Sequence, residues 1–216
     1  AEGRTWLQIP GEANLQAVYD AAACPPLLKR SFEMWMDWQR RSASGVQQAL
    51  RAARLAPEFV AALYALDARI VSGNLDGPVS LAEAMERKAE VLKGDWLVEV
   101  PVCPANQETA FEAVKRTPAD DPIAAAACAV EFDGANAIRL GLAVTGVQRG
   151  GAVPVDTGSL AGAELTEQRI QDFVKNVEFE GKLLDDFQGS KEYRAAMVKV
   201  VMRRALTACA QGKDRQ

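Results

Sequence analysis

The sequence predicts an α+β fold in which helices crowd the first third and strands, then helices, follow. Three observations carry this. Residues 5–68 hold Ala- and Leu-rich runs with apolar residues three and four apart, the spacing of one helical face. At Ala68 the texture changes to ARIVSGNLDGPVSL, a strand, a Gly-containing turn and a returning strand. The chain then closes on GSKEYRAAMVKVVMRRAL, an amphipathic helix behind a Gly-Ser start.

The elements follow in order. TWLQI is a short apolar start, and ANLQAVYDAAA places Leu15, Val18 and Ala22 on one helical face. Cys24-Pro25-Pro26 stops that helix, because proline lacks the N–H and restricts the residue before it. Residues 27–41 read as helix, with Leu28, Phe32, Trp35 and Met36 in one stripe and Arg40 and Arg41 at the negative end of its dipole. Residues 45–68 read as helix again, with Pro57 as a break or first-turn residue. Ser80 and Glu83 have capping-box spacing, and DWLVEVPV is a strand ending near Pro101. Pro104-Ala105-Asn106 marks a boundary between units 1–104 and 105–216. Beyond it, IAAAACAVEF is extended near its end, Asp133-Gly134 is a tight turn, and AIRLGLAVTGV returns with Ile138, Leu140, Leu142 and Val144 alternating. A Gly/Pro-rich loop (146–158) precedes two helices, 165–181 and Ser190 to about Cys209. Ser190 is the N-cap of the last, and Tyr193, Met197, Val200, Val201 and Ala205 form its apolar stripe.

Composition narrows the function. Of 216 residues, 49% are apolar and 25% charged, which is ordinary for a globular protein. A net charge of −4 argues against nucleic acid, whose phosphates need a basic surface. Charges or prolines interrupt every apolar run before membrane-spanning length, and AEGRTWLQIP lacks signal-peptide order, so a cytoplasmic location is expected. There is no histidine, which removes Ser–His–Asp and Cys–His catalysis and His-ligated metals. Cys24, Cys103, Cys128 and Cys209 show no C-x-x-C spacing, so buried or free thiols are expected rather than a metal site.

Other clusters have ordinary readings. Trp35 and Trp38 could stack a ring, but aromatics at helical spacing usually pack in a core or subunit contact. Arg40, Arg41, Arg51 and Arg54 could hold a phosphate, but read as a solvated face or interface ion pairs. Glu178, Glu180, Asp185 and Asp186 lack the spacing of an all-oxygen cation site. Asp120-Asp121-Pro122 is a turn rather than an acid–base pair, and Gly150-Gly151, with no helix start beside it, is a loop.

The closing segment DFQGSKEYRAAMVKVVMRRAL resembles the last helix of the FAD-binding, or medium, subunits of molybdenum hydroxylases, the carbon monoxide dehydrogenase and xanthine dehydrogenase family. Asp186, Gly189, Ser190, Tyr193, Arg194, Arg203, Arg204, Ala205 and Leu206 fit its D-x-x-G-S-x-x-Y-R…R-R-A-L pattern. Upstream, GLAVTGVQRGGAVPV, LAGAELTEQRI, VLKGDWLVEVPV and AALYALDARIV resemble family segments in the same order, covering most of residues 45–209. The resemblance implies a remnant of a PCMH-type FAD-binding lobe, followed by a C-terminal domain of a small antiparallel sheet packed on helices. It also implies partners: a molybdopterin-binding large subunit and a small subunit with two [2Fe–2S] clusters.

The departures matter more. The family's A-G-G-T-D loop, whose backbone cradles the FAD pyrophosphate, does not occur, and TWLQIPGEANLQAVYD resembles the start of the family's second lobe, so an N-terminally truncated homologue is expected. The second flavin signature aligns with Gly45 to Glu58; its paired glycines and Asn fall on Gln47, Gln48 and Ala49 or their neighbours, and its Asp on Glu58. The Lys of F-x-K-x-x-x-R is Ala113. Glycines at a cofactor loop permit close approach and positive φ, whereas Gln and Ala favour helix. The expectation is a subunit of an oxidoreductase complex that is not catalytic by itself, binds no cofactor or metal, and acts as a scaffold. If FAD is retained, the resemblance nominates Gln47, Gln48, Ala49, Glu58 and Asp120 to hold it. Two alternatives stay open: an FAD-binding electron-transfer subunit whose missing lobe comes from another chain, separated by flavin in the purified complex, and a free-standing binding protein, separated by capture without molybdenum or iron–sulfur partners.

Overall fold

The computed structural model describes residues 5–52, 54–148, 151–179 and 185–212. Strand β1 (Trp6–Pro10) leads into α1 (Leu15–Asp20), whose N-terminus is closed by Asn14: its side-chain oxygen accepts from Ala17 N–H at 2.7 Å. Ala22 lies past the helix end and is exposed. Helix α2 (Pro26–Glu33) starts on proline in its first turn, where a missing N–H costs nothing. The helix expected over 27–41 is in fact two, because Asp37 caps a new one, α3 (Trp38–Ala43), accepting from Arg40 N–H at 2.7 Å. The run 45–68 likewise divides into α4 (Val46–Arg51) and α5 (Pro57–Ala65), with Pro57 opening the second.

Strands β2 (Arg69–Ser72) and β3 (Val79–Ser80) form the expected hairpin. Helix α6 (Leu81–Glu86) is capped by Ser80, whose hydroxyl accepts from Glu83 N–H at 3.2 Å; α7 (Lys88–Val91) and β4 (Trp96–Pro101) follow. These strands make an antiparallel sheet in the order β1-β4-β2-β3. On it the buried Glu99 carboxylate accepts from Gln8 at 3.0 Å and Arg69 at 2.7 Å.

The second sheet is built from β5 (Gln107–Val114), β6 (Ala124–Asp133), β7 (Asn136–Thr145) and β8 (Val153–Pro154), with β9 (Ala163–Glu164) also pairing with β7. Asp133 pairs with Asn136 across a two-residue turn in which Gly134 takes φ +56°. Helices α8 (Glu167–Asn176) and α9 (Lys191–Gly212) complete the chain. The helix expected over 165–181 spans only Glu167–Asn176, because Val177, at φ −71° and ψ 126°, is extended and closes it.

Strand β6 shows why its sequence is a run of small apolar residues. Ala125, Ala127 and Ala129 join the core with α2 and α5, while Ala124, Ala126, Cys128, Val130 and Phe132 face α8 and α9. Both faces are covered, so the strand has no polar alternation, and alanine lets helices lie close. One close approach is at Gly141 of β7, where a Cβ would come within 2.1 Å of the Ala65 carbonyl oxygen of α5.

The buried stripe of α9 differs from the expected one. It runs through Arg194, Val198, Val201, Met202, Ala205, Leu206 and Cys209, while Tyr193 is 43% exposed. The stripe is rotated because a charged residue, Arg194, occupies its first position.

Candidate functional site

The segment resembling the second flavin signature folds as the start of α4. Four of its backbone donors are already engaged. Gly45 N–H donates to Gln48 Oε1 at 3.1 Å, Val46 N–H to the Ala13 carbonyl at 2.9 Å, and Gln47 N–H to the Gly11 carbonyl at 2.9 Å. Ala49 N–H bonds within the helix to the Gly45 carbonyl at 3.0 Å, and the Ala49 side chain is buried. A pyrophosphate cradle needs such N–H groups free and converging on one point. Gly45, Val46 and Gln47 tie theirs to the chain itself, so this turn does not fit the pyrophosphate of FAD.

Glu58 belongs to a different place. It sits in the first turn of α5, 2% exposed, beneath a polar cavity of about 360 Å³. The lining comes from four elements: Arg54 and Glu58 at the start of α5, Thr145 and Gly146 at the end of β7, Asp186 and Gln188 in the turn before α9, and Arg194 in its first turn. The only side-chain bond to the carboxyl among the described residues is weak, from Thr145 Oγ1 to Glu58 Oε1 at 3.4 Å. Burial pushes the Glu58 carboxyl up to about 7. Its own backbone N–H, Thr145 and Lys115 oppose the rise, and Asp121 adds to it.

Arg194 forms the opposite wall. Asp186 and Gly189 bridge each other through backbone bonds of 3.3 and 3.1 Å, folding the turn back on α9. Ser190 caps the helix, its hydroxyl accepting from Tyr193 N–H at 3.2 Å. The guanidinium, 2% exposed, then reaches under the sheet. Nη1 donates to the Ile123 carbonyl at 2.7 Å and the Gly146 carbonyl at 3.3 Å; Nη2 donates to Asp186 at 2.7 Å and Gln188 at 3.2 Å. Nε is buried with no acceptor among the described residues. Gly146 must be glycine: φ is +86°, and a Cβ would stand 2.1 Å from the Ile123 carbonyl oxygen. For Asp186, burial raises the carboxyl, but bonds from Arg194 and from the Gln188 and Gly189 backbone outweigh it and hold it below the usual range.

The nominated residues therefore do not converge. Gln47, Gln48 and Ala49 lie in α4, and Asp120 is an exposed turn residue whose carboxylate accepts from Thr117 N–H at 3.1 Å. Ala113 lies on β5, paired with Ala125. Sequence reasoning weighed Asp186 as a cation ligand and Arg194 as a motif position, and missed the buried site they form with Thr145. The signal was the D-x-x-G-S-x-x-Y-R spacing, which sets an acid and an arginine on either side of a tight turn.

The other clusters are local. Trp35 packs partly buried against the core and Trp38 is 64% exposed. Arg40 pairs with Asp121 at 3.3 Å, Arg41 donates to Gln16 at 2.8 Å and the Met36 carbonyl at 2.6 Å, and Arg51 to the Leu92 carbonyl at 2.5 Å. Arg54 makes no hydrogen bond or ion pair among the described residues. Glu180 and Gly150 lie outside them. Among the described residues, no group of three or more His, Cys, Asp or Glu is placed to hold a metal ion, and no helix is long and apolar enough to cross a membrane.

Comparison with known proteins places this geometry. Residues 109–209 match the CO dehydrogenase flavoprotein C-terminal domain family. Over the whole chain the fold is that of a chain in reconstituted CO dehydrogenase from Oligotropha carboxidovorans: TM-score 0.78 at 21% identity, covering 97% of this chain and 77% of that one. Carbon monoxide dehydrogenase from Hydrogenophaga pseudoflava, in a form lacking the Mo-pyranopterin moiety of the molybdenum cofactor, gives 0.79 at 19% identity over 96% and 77%. Quinoline 2-oxidoreductase from Pseudomonas putida 86 gives 0.75 at 18% identity over 99% and 78%. No curated protein matches the sequence.

Proposed function

We infer that residues 109–209, which match the CO dehydrogenase flavoprotein C-terminal domain family, carry that domain within a chain whose fold is found in CO dehydrogenase and quinoline oxidoreductase. From that premise we propose that the protein is a subunit of a molybdenum hydroxylase-type oxidoreductase complex that binds no FAD itself. It holds a molybdopterin-binding large subunit and an iron–sulfur small subunit together, and residues 1–104 and 105–216 are its two lobes. The observation that carries the flavin-free reading is the first turn of α4, where Gly45, Val46 and Gln47 spend their N–H groups on Gln48, Ala13 and Gly11.

In such a subunit the chain does no bond chemistry. The region between α5, β7 and α9 orders the junction of its two lobes, and electrons leave the clusters by a route other than a flavin on this chain. The test is affinity capture of the tagged chain from its native cell, with molybdenum and iron measured on the captured material. Both metals in fixed ratio to the chain support the proposal. A monodisperse chain carrying neither metal overturns it and leaves a free-standing protein.

A further inference from the structure

The cavity above Glu58 has a role that a scaffold does not require. We propose that it binds a small monocarboxylate, gripped by Arg54 at the rim and hydrogen-bonded by Glu58 at the floor. The inference rests on the flavin-free reading in one respect: a cofactor reaching past Arg54 would occupy the same space.

Four observations point to an anionic ligand of this size. The cavity, about 360 Å³, is within the range of small-molecule sites and is lined mainly by polar groups. Arg54 presents an exposed guanidinium with no acceptor among the described residues, and a guanidinium matches a carboxylate in two parallel bonds. Arg194 is more than nine-tenths buried, and among the described residues its Nε has no acceptor. Glu58 is fully buried, and apart from its own backbone N–H its carboxyl has one weak partner among the described residues, Thr145. A buried carboxyl in that position is a hydrogen-bond donor when protonated, and a bound carboxylate is the acceptor it lacks. Arg194 is paired with Asp186, so among the described residues the uncompensated positive charge lining the cavity is that of Arg54.

The binding is proton-linked. The groups acting on Glu58 are its own backbone N–H, Thr145 of β7, and Asp121 and Lys115 in the connection between β5 and β6; Arg54 ahead of α5, and Arg194 with Asp186 at α9, line the same cavity. Because the ligand binds the protonated form, affinity falls as pH rises through about 7. Between pH 6 and pH 8 the protonated fraction, and with it the affinity, drops about tenfold.

The experiment is calorimetric titration of the natively purified protein, shown flavin-free by acid release, with benzoate and with neutral benzamide at pH 6 and pH 8. Saturable benzoate binding about tenfold tighter at pH 6, with proton uptake and with benzamide at least tenfold weaker, is the expected result. Arg54→Gln weakens benzoate at least tenfold, and Glu58→Gln, whose amide still donates, keeps binding but loses the pH dependence. No saturable benzoate binding in flavin-free protein, equal affinity at both pH values, or an unchanged Arg54→Gln variant overturns the proposal. Released flavin overturns the flavin-free reading instead, so the two failures are distinct.

Discussion

Arg194 and Asp186, eight residues apart, meet at 2.7 Å with the guanidinium 2% exposed and the carboxylate at the cavity wall. The pair joins the turn before α9 to the end of β7, because the same guanidinium also serves the Ile123 and Gly146 carbonyls. Removing the guanidinium leaves the Ile123 and Gly146 carbonyl oxygens and the partly exposed Asp186 carboxylate without their shared donor. Arg194→Ala is expected to lose about 2–3 kcal/mol of stability, because buried carbonyl acceptors lose a charged donor while the partly exposed carboxylate returns to water. Chemical denaturation measures it, and a loss under about 1 kcal/mol contradicts the role assigned to Arg194.

The pair also carries an acid sensitivity. The Asp186 carboxyl is held low in the fold, so its contribution is present above the ordinary Asp range and is lost as pH falls through the folded value. Asp186→Asn is expected to flatten the acid limb of the stability curve below about pH 4. An unchanged limb in the variant assigns acid unfolding to other carboxylates.

Much of the fold was legible. Caps at Ser80 and Ser190, the proline opening α5 and the Asp133-Gly134 turn are local chemistry, and each lies where its residues put it. The stripe of α9 was not legible, because a 3.6-residue pattern counts apolar side chains and Arg194 is buried by carbonyls far away in the chain. The break at 34–37 was missed for a related reason: the apolar spacing of Leu28, Phe32 and Met36 continues through it, while Asp37 restarts the helix. The cavity above Glu58 needs four elements brought together in space, and no spacing in the sequence records that.

The register of α9 has its own test. Met202→Ala is expected to cost about 2–5 kcal/mol, since its side chain is fully buried between α9 and the sheet. Tyr193→Ala is expected to cost less than half as much, and the reverse order in thermal denaturation contradicts the observed stripe.

Glu58 gives a pH effect of opposite sign to Asp186. Its folded value is raised to about 7, so the folded state holds a proton that the unfolded chain releases from about 4.5 upward. Stability therefore falls as pH rises from about 4.5 through about 7, by roughly 3 kcal/mol at most. Glu58→Gln removes that decline. A melting temperature with the same pH slope in both proteins contradicts a buried, proton-holding Glu58.

Gly141 tests the contact between α5 and the second sheet. A methyl there meets the Ala65 carbonyl oxygen, so Gly141→Ala is expected to cost about 1–3 kcal/mol. Gly73→Ala, with nothing within 4 Å of the added carbon, is the control. Equal losses in the two variants contradict close packing at Gly141.

The central claim is that a chain with this fold binds no flavin, because the α4 turn spends its donors internally. The direct measurement is acid release of flavin from the natively purified protein and its partners, read by fluorescence against the amount of this chain. The account predicts iron–sulfur absorbance with no releasable flavin. Flavin in near one-to-one ratio with the chain contradicts it, and places FAD on contacts supplied by a partner.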